Sequence, residues 1–419
     1  MGEKYLDRIP EDWKIKYLES ISTEVGDGIH TTPRYVSSSN YFFINGNNLV
    51  NGNILITKDT KCVSEQEYNL LKKNLNSNTI LISINGTIGN LAYYKNENVV
   101  LGKSVAYINL KKDFEKRLIF YLFQHPYIKT YFKNELTGTT INNLSLKSLR
   151  KTPIIIPTIM EQKKIASILS TVHDLIENTD HLINSYTLLK KGLMQTLLTK
   201  GIGHSEFKKT EIGEIPVEWQ IKNLCEVITA IESGGRPTGG ATENSGTITS
   251  FGGENILKDG GVDYKNVRKI SLDYYKNMSM GKLNDKDILI NKDGANTGKL
   301  GIYSNKYYKE GGINEHIFLI RGLKKVITQE FLYYFLLSDK GQYYIKQKIT
   351  GSAQPGINKS FTHNFPVPVP YINEQEEISK ILISLDEQLS IFKEKKEKLN
   401  LLKKGLMQQL LTGKIRVKV

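Results

Sequence analysis

The triplet Gly102-Lys103-Ser104 is the first place in this chain where residue types could do chemistry, because a lysine set after glycines can hold nucleotide phosphates. A phosphate-binding loop also needs a glycine five residues before Gly102, and Glu97 stands there, so no nucleotide site is expected. Other constellations fail in the same way. Cys62 and Cys225 lie far apart, without ligand spacing, and the histidines do not cluster with cysteine or carboxylate. His173 and His181 are expected to face solvent or a partner. An amino-methyltransferase loop would read Asn-Pro-Pro-aromatic, and Asn364-Phe365-Pro366 is the nearest approach. No Pro-Asp dipeptide opens a nuclease carboxylate motif, and no Gly-x-Gly-x-x-Gly follows a strand. Catalytic residues, bound cofactors and metal ligands are therefore not expected.

Binding is what the remaining polar residues offer. The chain has 419 residues, a formal net charge of +14 and a pI near 9.3. A solvated lysine surface accounts for this, and so does a polyanionic partner, because lysine and arginine near phosphates release counterions and supply affinity. No apolar run approaches the roughly 20 residues needed to span a bilayer. The N-terminal residues lack a signal-peptide core, and the two cysteines do not make a disulfide framework. A reduced, cytoplasmic setting is expected.

The elements that must position these residues come as an imperfect duplication. Ile9-Pro10-Glu11-Asp12-Trp13 recurs as Ile215-Pro216-Val217-Glu218-Trp219, and these hold both tryptophans of the chain. Leu188-Leu189-Lys190-Lys191-Gly192-Leu193-Met194-Gln195 recurs unchanged from Leu401 to Gln408. The interiors diverge: Val25-Gly26-Asp27-Gly28-Ile29-His30-Thr31-Thr32-Pro33 faces Glu232-Ser233-Gly234-Gly235-Arg236-Pro237-Thr238. Alike ends imply a shared structural job, and unlike interiors imply that each half recognises something different.

From Ile159 to Thr199 the chain has no proline, and Gly192 is its one glycine, which predicts a long helix. Thr158 with Glu161 predicts a capping box at its start. Ile165, Ile168, Val172, Leu175, Thr179, Leu182, Tyr186, Leu189 and Leu193 give a heptad seam with one polar break. The second copy reads Ile378, Ile381, Leu385, Gln388, Phe392, Lys395, Leu399, Leu402 and Leu406. A helix of about 40 residues is roughly 60 Å long and needs a partner. An antiparallel pair of the two is expected. Strands are predicted at Thr79–Ser83 and Asp287–Ile290, and helices at Arg117–Phe123 and Gln329–Leu337. The expected fold class is mixed α+β, with two globular domains separated by two long antiparallel coiled-coil helices. The boundaries are 1–157 and 201–370 for the domains, 158–200 and 371–413 for the helices, and 414–419 for a C-terminal tail.

Over essentially its whole length the chain resembles the specificity subunit of type I restriction–modification systems. The resemblance rests on the Ile-Pro-x-x-Trp openings, the proline-bounded entries to the helices, the pairs Glu161-Gln162 and Glu374-Gln375, and the Leu-Lys-Lys-Gly-Leu-Met-Gln endings. It implies that each domain reads one half of a split site in double-stranded DNA. It implies that the helices set the spacing and bind two methylation subunits, which a restriction subunit can join. S-adenosylmethionine, ATP and Mg would belong to those partners, with none bound here. Base-reading residues are expected in the divergent loops. In the first domain these are His30, Thr31, Thr32 and Arg34, with Thr139, Thr140 and Asn142. In the second they are Arg236 and Thr238, with Ser352, Gln354, Asn358 and Lys359. Partner contacts are expected at Glu161, Gln162, Lys190, Lys191, Glu374, Gln375, Lys403 and Lys404. Gly86 with Gly89, and Gly294 with Gly298, are expected in strand-to-strand turns. Two rivals are a coiled-coil adaptor that does not bind DNA and a fragment of a fused restriction–methylation enzyme. A steep salt dependence would count against the first, and the missing methyltransferase loop counts against the second.

Overall fold

The computed structural model describes residues 9–138, 141–242, 246–351 and 354–419. The chain divides into two compact units, and the division cuts through both long helices. One unit comprises residues 1–180 with 394–419, and the other 181–393. Residues 414–419, expected as a C-terminal tail, fall within the first unit.

The order of elements in the first unit follows from its hydrophobic pattern. Strand β1 (Lys14–Tyr17) leads into β2 (Ser22–Asp27), and later come β3 (Thr79–Ser83), β4 (Leu91–Tyr93) and β5 (Val105–Leu110). The described strands form an antiparallel sheet in the order β2-β5-β3-β4. Every residue of β3 and β5 is buried, which is why Thr-Ile-Leu-Ile-Ser reads as an unbroken apolar run and not as an alternation. Helices α1 (Lys116–Gln124) and α2 (Pro126–Asn134) follow. The α1 residues Leu118 to Phe123 are buried in a core with Ile80, Ile82 and Ile108.

Strand β6 (Pro153–Ile156) then pairs antiparallel with β1 before α3 (Ile159–Lys200) begins. The prolines bounding this run fit an edge strand, since proline cannot donate to a ladder. The shared ends of the repeat thus meet each other in space: the strand after Trp13 pairs with the strand before the long helix.

The second unit repeats the plan with β7 (Gln220–Asn223), β8 (Ile228–Ser233), β9 (Ile288–Asn291), β10 (Leu300–Ile302) and β11 (Ile317–Gly322). Helices α4 (Gln329–Leu337) and α5 (Asp339–Gln347), strand β12 (Pro366–Val369) and α6 (Ile372–Leu410) complete it. Its sheet order is β8-β11-β9-β10, and β7 pairs with β12. One sheet position is solved in two chemistries. In the first unit Thr79 donates to Asn109 at 2.5 Å; in the second, Arg321 makes a bidentate pair with Asp287 at 2.8 and 2.7 Å. Burial outweighs the arginine and pushes the Asp287 carboxyl up from its ordinary range.

The long helices contact each other within each unit, and the direction is antiparallel. In the first unit Lys403 donates to His173 at 3.1 Å and Lys396 pairs with Asp180 at 2.5 Å. In the second Tyr186 meets Phe392 edge-on at 5.1 Å and Lys190 pairs with Asp386 at 2.5 Å. The buried stripe on α3 is Ile165, Leu169, Val172, Ile176, Thr179, Lys190, Met194 and Leu198. It departs from the seam expected from the heptads: Leu175, Leu182 and Leu189 are 41, 41 and 48% exposed. On α6, Leu382 and Leu389 are buried while Ile381 and Leu402 are exposed. Half of the expected seam is kept, with Ile165, Val172 and Thr179 on α3 and Ile378 on α6 buried, while the other half moves one residue along, to Leu169 and Ile176 on α3 and to Leu382 and Leu389 on α6.

A candidate nucleic-acid interface

In each unit the strand ends converge on one edge of the four-stranded sheet. Asp27 ends β2 opposite Ala106, and Ser83 ends β3 opposite Val105. The segments beyond these ends are 28–34, 84–90 and 102–104. Gly28 makes the first possible, since its chain crosses directly over Leu101 and Gly102. A Cβ there would lie 2.2 and 2.3 Å from their carbonyl oxygens. The crossing is fastened by Gly28 N–H to Val105 O at 2.9 Å and Ile29 N–H to Leu101 O at 2.8 Å. Asn142 joins the same edge, where Gly86 N–H donates to its carbonyl at 3.0 Å.

The second unit places equivalent residues alike. Gly234 crosses Ile313, where a Cβ would sit 1.7 Å from the carbonyl oxygen. Gly294 N–H donates to Pro355 O at 2.9 Å and Ile357 N–H to Lys292 O at 2.8 Å, bringing residues 355–357 to the 292–298 turn. Pairing of Ala106 with Asp27 and of Phe318 with Ser233 makes His30 and Arg236 equivalent positions, each three residues beyond its strand end.

The expected residues fall as follows. His30 is exposed and pairs with Asp27 at 2.8 Å. Thr31, Thr32 and Asn142 are exposed on the same edge. Arg34 lies where this loop enters the strand Tyr35–Val36, its backbone N–H donating to Glu67 at 3.1 Å. Arg236, Thr238, Gln354 and Lys359 are exposed. Asn358 is spent in part as a helix cap, accepting from Ser360 N–H at 3.0 Å. Thr139, Thr140 and Ser352 lie outside the described residues. Gly86, Gly89, Gly294 and Gly298 all have positive φ, as their turns require.

Sequence reasoning missed the groups beside Arg236. Asp293 receives hydrogen bonds from Lys292 at 2.5 Å and His316 at 2.6 Å. Burial pushes its carboxyl up, and the hydrogen bonds from Lys292 and His316 outweigh that and hold it below the ordinary aspartate range. Glu315 stands 3.5 Å from His316 and 3.9 Å from Arg236. The first unit has Asn85, Lys103 and Ser104 at the places of Asp293, Glu315 and His316. The available signal was that these turn residues differ in charge between the two copies.

The expected partner residues need correction. Glu161 is 2% exposed and accepts from Trp13 Nε1 at 3.0 Å, Thr158 at 3.0 Å and Arg416 Nε at 2.6 Å. Gln162 accepts from Glu115 N–H at 3.1 Å and donates to Pro157 O at 3.0 Å. In the second unit Trp219 and His204 donate to Glu374 at 3.0 and 2.9 Å. Gln375 accepts from Thr328 N–H at 2.7 Å. Glu161 and Glu374 tie the opening of each repeat to the start of its helix, and Gln162 and Gln375 tie that helix start to the segment entering α1 or α4, because a buried tryptophan N–H and helix-start groups need acceptors. Lys190 is also internal, and Lys403 packs over the Tyr121 ring. Lys191 and Lys404 remain exposed.

Two stretches, 10–186 and 216–401, match the family model of the type I restriction modification DNA specificity domain. The chain belongs to this family. As a specificity subunit it carries two target recognition domains and is the recognising, non-catalytic part of its system. It is 30% identical to the "Putative type I restriction enzyme MjaX specificity subunit" of Methanocaldococcus jannaschii, over 99% of this chain and 96% of that one. It is 28% identical to the MjaVIII specificity subunit of the same organism, over 98% and 95%. A solved type I S subunit from M. genitalium shares the fold with a TM-score of 0.64 at 18% identity, covering 96% of each chain. Among the described residues no helix is long and apolar enough to cross a membrane.

Proposed function

We propose that this specificity subunit reads a bipartite double-stranded DNA site, one half at the loop-bearing edge of each unit, on behalf of two methylation subunits. A restriction subunit can join that complex. S-adenosylmethionine is held by the methylation subunits, ATP and Mg by the restriction subunit, and the complex works in the cytoplasm. The observation that carries this reading is the repeated edge. The same glycine crossing, turn and loop recur in both units, filled with His30, Asn85 and Lys103 in one and Arg236, Asp293 and Glu315 in the other. A conserved scaffold with unlike side chains suits two different base sequences, because phosphate contacts position a protein and base edges specify its site.

Support for docked partners comes from the exposed face of α3. Leu175, Leu182 and Leu189 repeat every seventh residue and stay open to solvent, with Lys191 beside them. An ordered row of exposed leucines marks a surface that another protein covers.

The test is reconstitution with the methylation subunits, followed by sequencing of methylated sites. Replacing segments 28–34, 84–90 and 138–142 with those of a relative should change one half of the motif and leave the other intact. An unchanged motif would refute the reading. Filter binding across salt concentrations should give a steep, near-linear fall of log affinity with log salt.

A further inference from the structure

Glu315 occupies an unusual place for an acid. It lies on the edge assigned above to DNA, where a carboxylate facing phosphates would be repelled. Its backbone is firmly held. Ser233 donates to the Glu315 carbonyl at 3.3 Å, Asn314 N–H donates to Phe251 O at 3.0 Å, and Lys292 N–H donates to His316 O at 2.9 Å. Its side chain is not held. Among the described residues the carboxylate makes no hydrogen bond, and its nearest basic side chains are the His316 imidazole at 3.5 Å and the Arg236 guanidinium at 3.9 Å.

The contrast with Asp293 is informative. Both oxygens of Asp293 are occupied, one by Lys292 and one by His316. That group is part of the scaffold, and through His316 it fixes the imidazole beside Glu315. Arg236 is 73% exposed on its side chain and only loosely paired, so it can turn towards a base without breaking a buried contact. The edge therefore presents a cation and an acceptor side by side on a rigid backbone. The equivalent of Glu315 in the first unit is Lys103, so the acid is not demanded by the fold.

We propose that Glu315 is a specificity-determining residue that accepts a hydrogen bond from the exocyclic amino group of a cytosine or adenine in the half-site read by the second unit. A carboxylate can accept from such an amino group in the major groove, whereas a guanine or thymine offers it only acceptors there. Arg236, beside it, is suited to the paired acceptors of a guanine. The cation also offsets the cost of bringing a negative group close to DNA. This inference rests on the reading of the edges as DNA faces.

The test uses the full complex with its methylation subunits, and compares Glu315→Gln, Arg236→Gln and the unaltered chain by sequencing of methylated sites and by competition binding. Glutamine keeps the shape and can donate as well as accept. Glu315→Gln should relax one base position of the second half-site by on the order of tenfold and leave the first half-site unchanged. Arg236→Gln should affect a different position of the same half. An unchanged motif with Glu315→Gln overturns the proposal, as does a uniform gain of affinity for all sequences, which would be a charge effect alone. Loss at the same position in both variants also overturns it, and makes Glu315 a support for Arg236. Exchange of segments 234–242 and 292–298 serves as the separate control. If that exchange leaves the second half-site unaltered, the reading of the edge as a DNA face fails independently.

Discussion

Replacing Glu161 with alanine tests what the shared ends of the repeat do. The carboxylate is buried and collects three donors: the Trp13 indole, the Thr158 hydroxyl and the Arg416 guanidinium. Trp13 is itself 4% exposed, so its N–H would be left buried without an acceptor, at a cost of about 1–3 kcal/mol. Loss of the acidic partner of Thr158 at the helix start adds roughly 1 kcal/mol. Thr158 and Arg416 are exposed and recover water. The expected loss is about 2–4 kcal/mol for Glu161→Ala and less for Glu161→Gln, which keeps an acceptor for Trp13. Urea unfolding followed by tryptophan fluorescence, in a Trp219→Phe background so that Trp13 alone reports, measures it. A loss below about 0.5 kcal/mol, the scatter of ordinary surface substitutions, would refute the argument. The charge gives a second reading. Burial pushes the Glu161 carboxyl up, but hydrogen bonds from Arg416, Thr158 and Trp13 outweigh it and hold it below the ordinary value of 4.5. The folded state thus binds fewer protons than the unfolded one near that value. The stabilisation is present above 4.5 and is lost as pH falls through the lowered folded value. Arg416 likewise lowers Asp12. An acid limb is therefore expected in the unfolding profile, shallower in Glu161→Gln because that carboxyl no longer titrates, and not abolished because Asp12 still does.

Three further outcomes are expected. Arg236→Ala should relax the second half of the methylated motif alone, whereas a uniform loss across sequences would assign it to phosphate. Gly28→Ala should disturb the first half of the motif while the chain still folds, because its Cβ would fall about 2.2 Å from a carbonyl oxygen and displace the loop; an unaltered motif would show the loop does not read. Leu182→Asp, on an exposed turn of α3, should change stability by no more than about 0.5 kcal/mol yet weaken association with methylation subunits, measured by co-purification or sedimentation.

Much of this protein was legible in its sequence because the information was local or repeated. The runs Thr79–Ser83 and Asp287–Ile290 were expected as strands; the first became a buried central strand over those bounds, the second one residue later at Ile288–Asn291, and Gln329–Leu337 became a helix over the expected bounds. Duplicated tryptophan openings and lysine-rich endings announced two like units without any contact being known. The choice among neighbouring helix faces was not legible. Leu175 and Ile176 are adjacent and both apolar, and only the packed neighbour decides that Ile176 goes inward. The roles of Glu161 and Glu374 were likewise hidden. A glutamate at a helix start looks like surface until a tryptophan more than a hundred residues away supplies the buried donor it satisfies. The same holds for Glu315 and His316, ordinary turn residues in sequence, which share one sheet edge with Asp293 and Arg236 because antiparallel pairing brings the ends of three strands together. Periodicity and repetition fix which elements form; only the meeting of distant segments fixes which polar groups are consumed inside the fold and which are left to recognise something else.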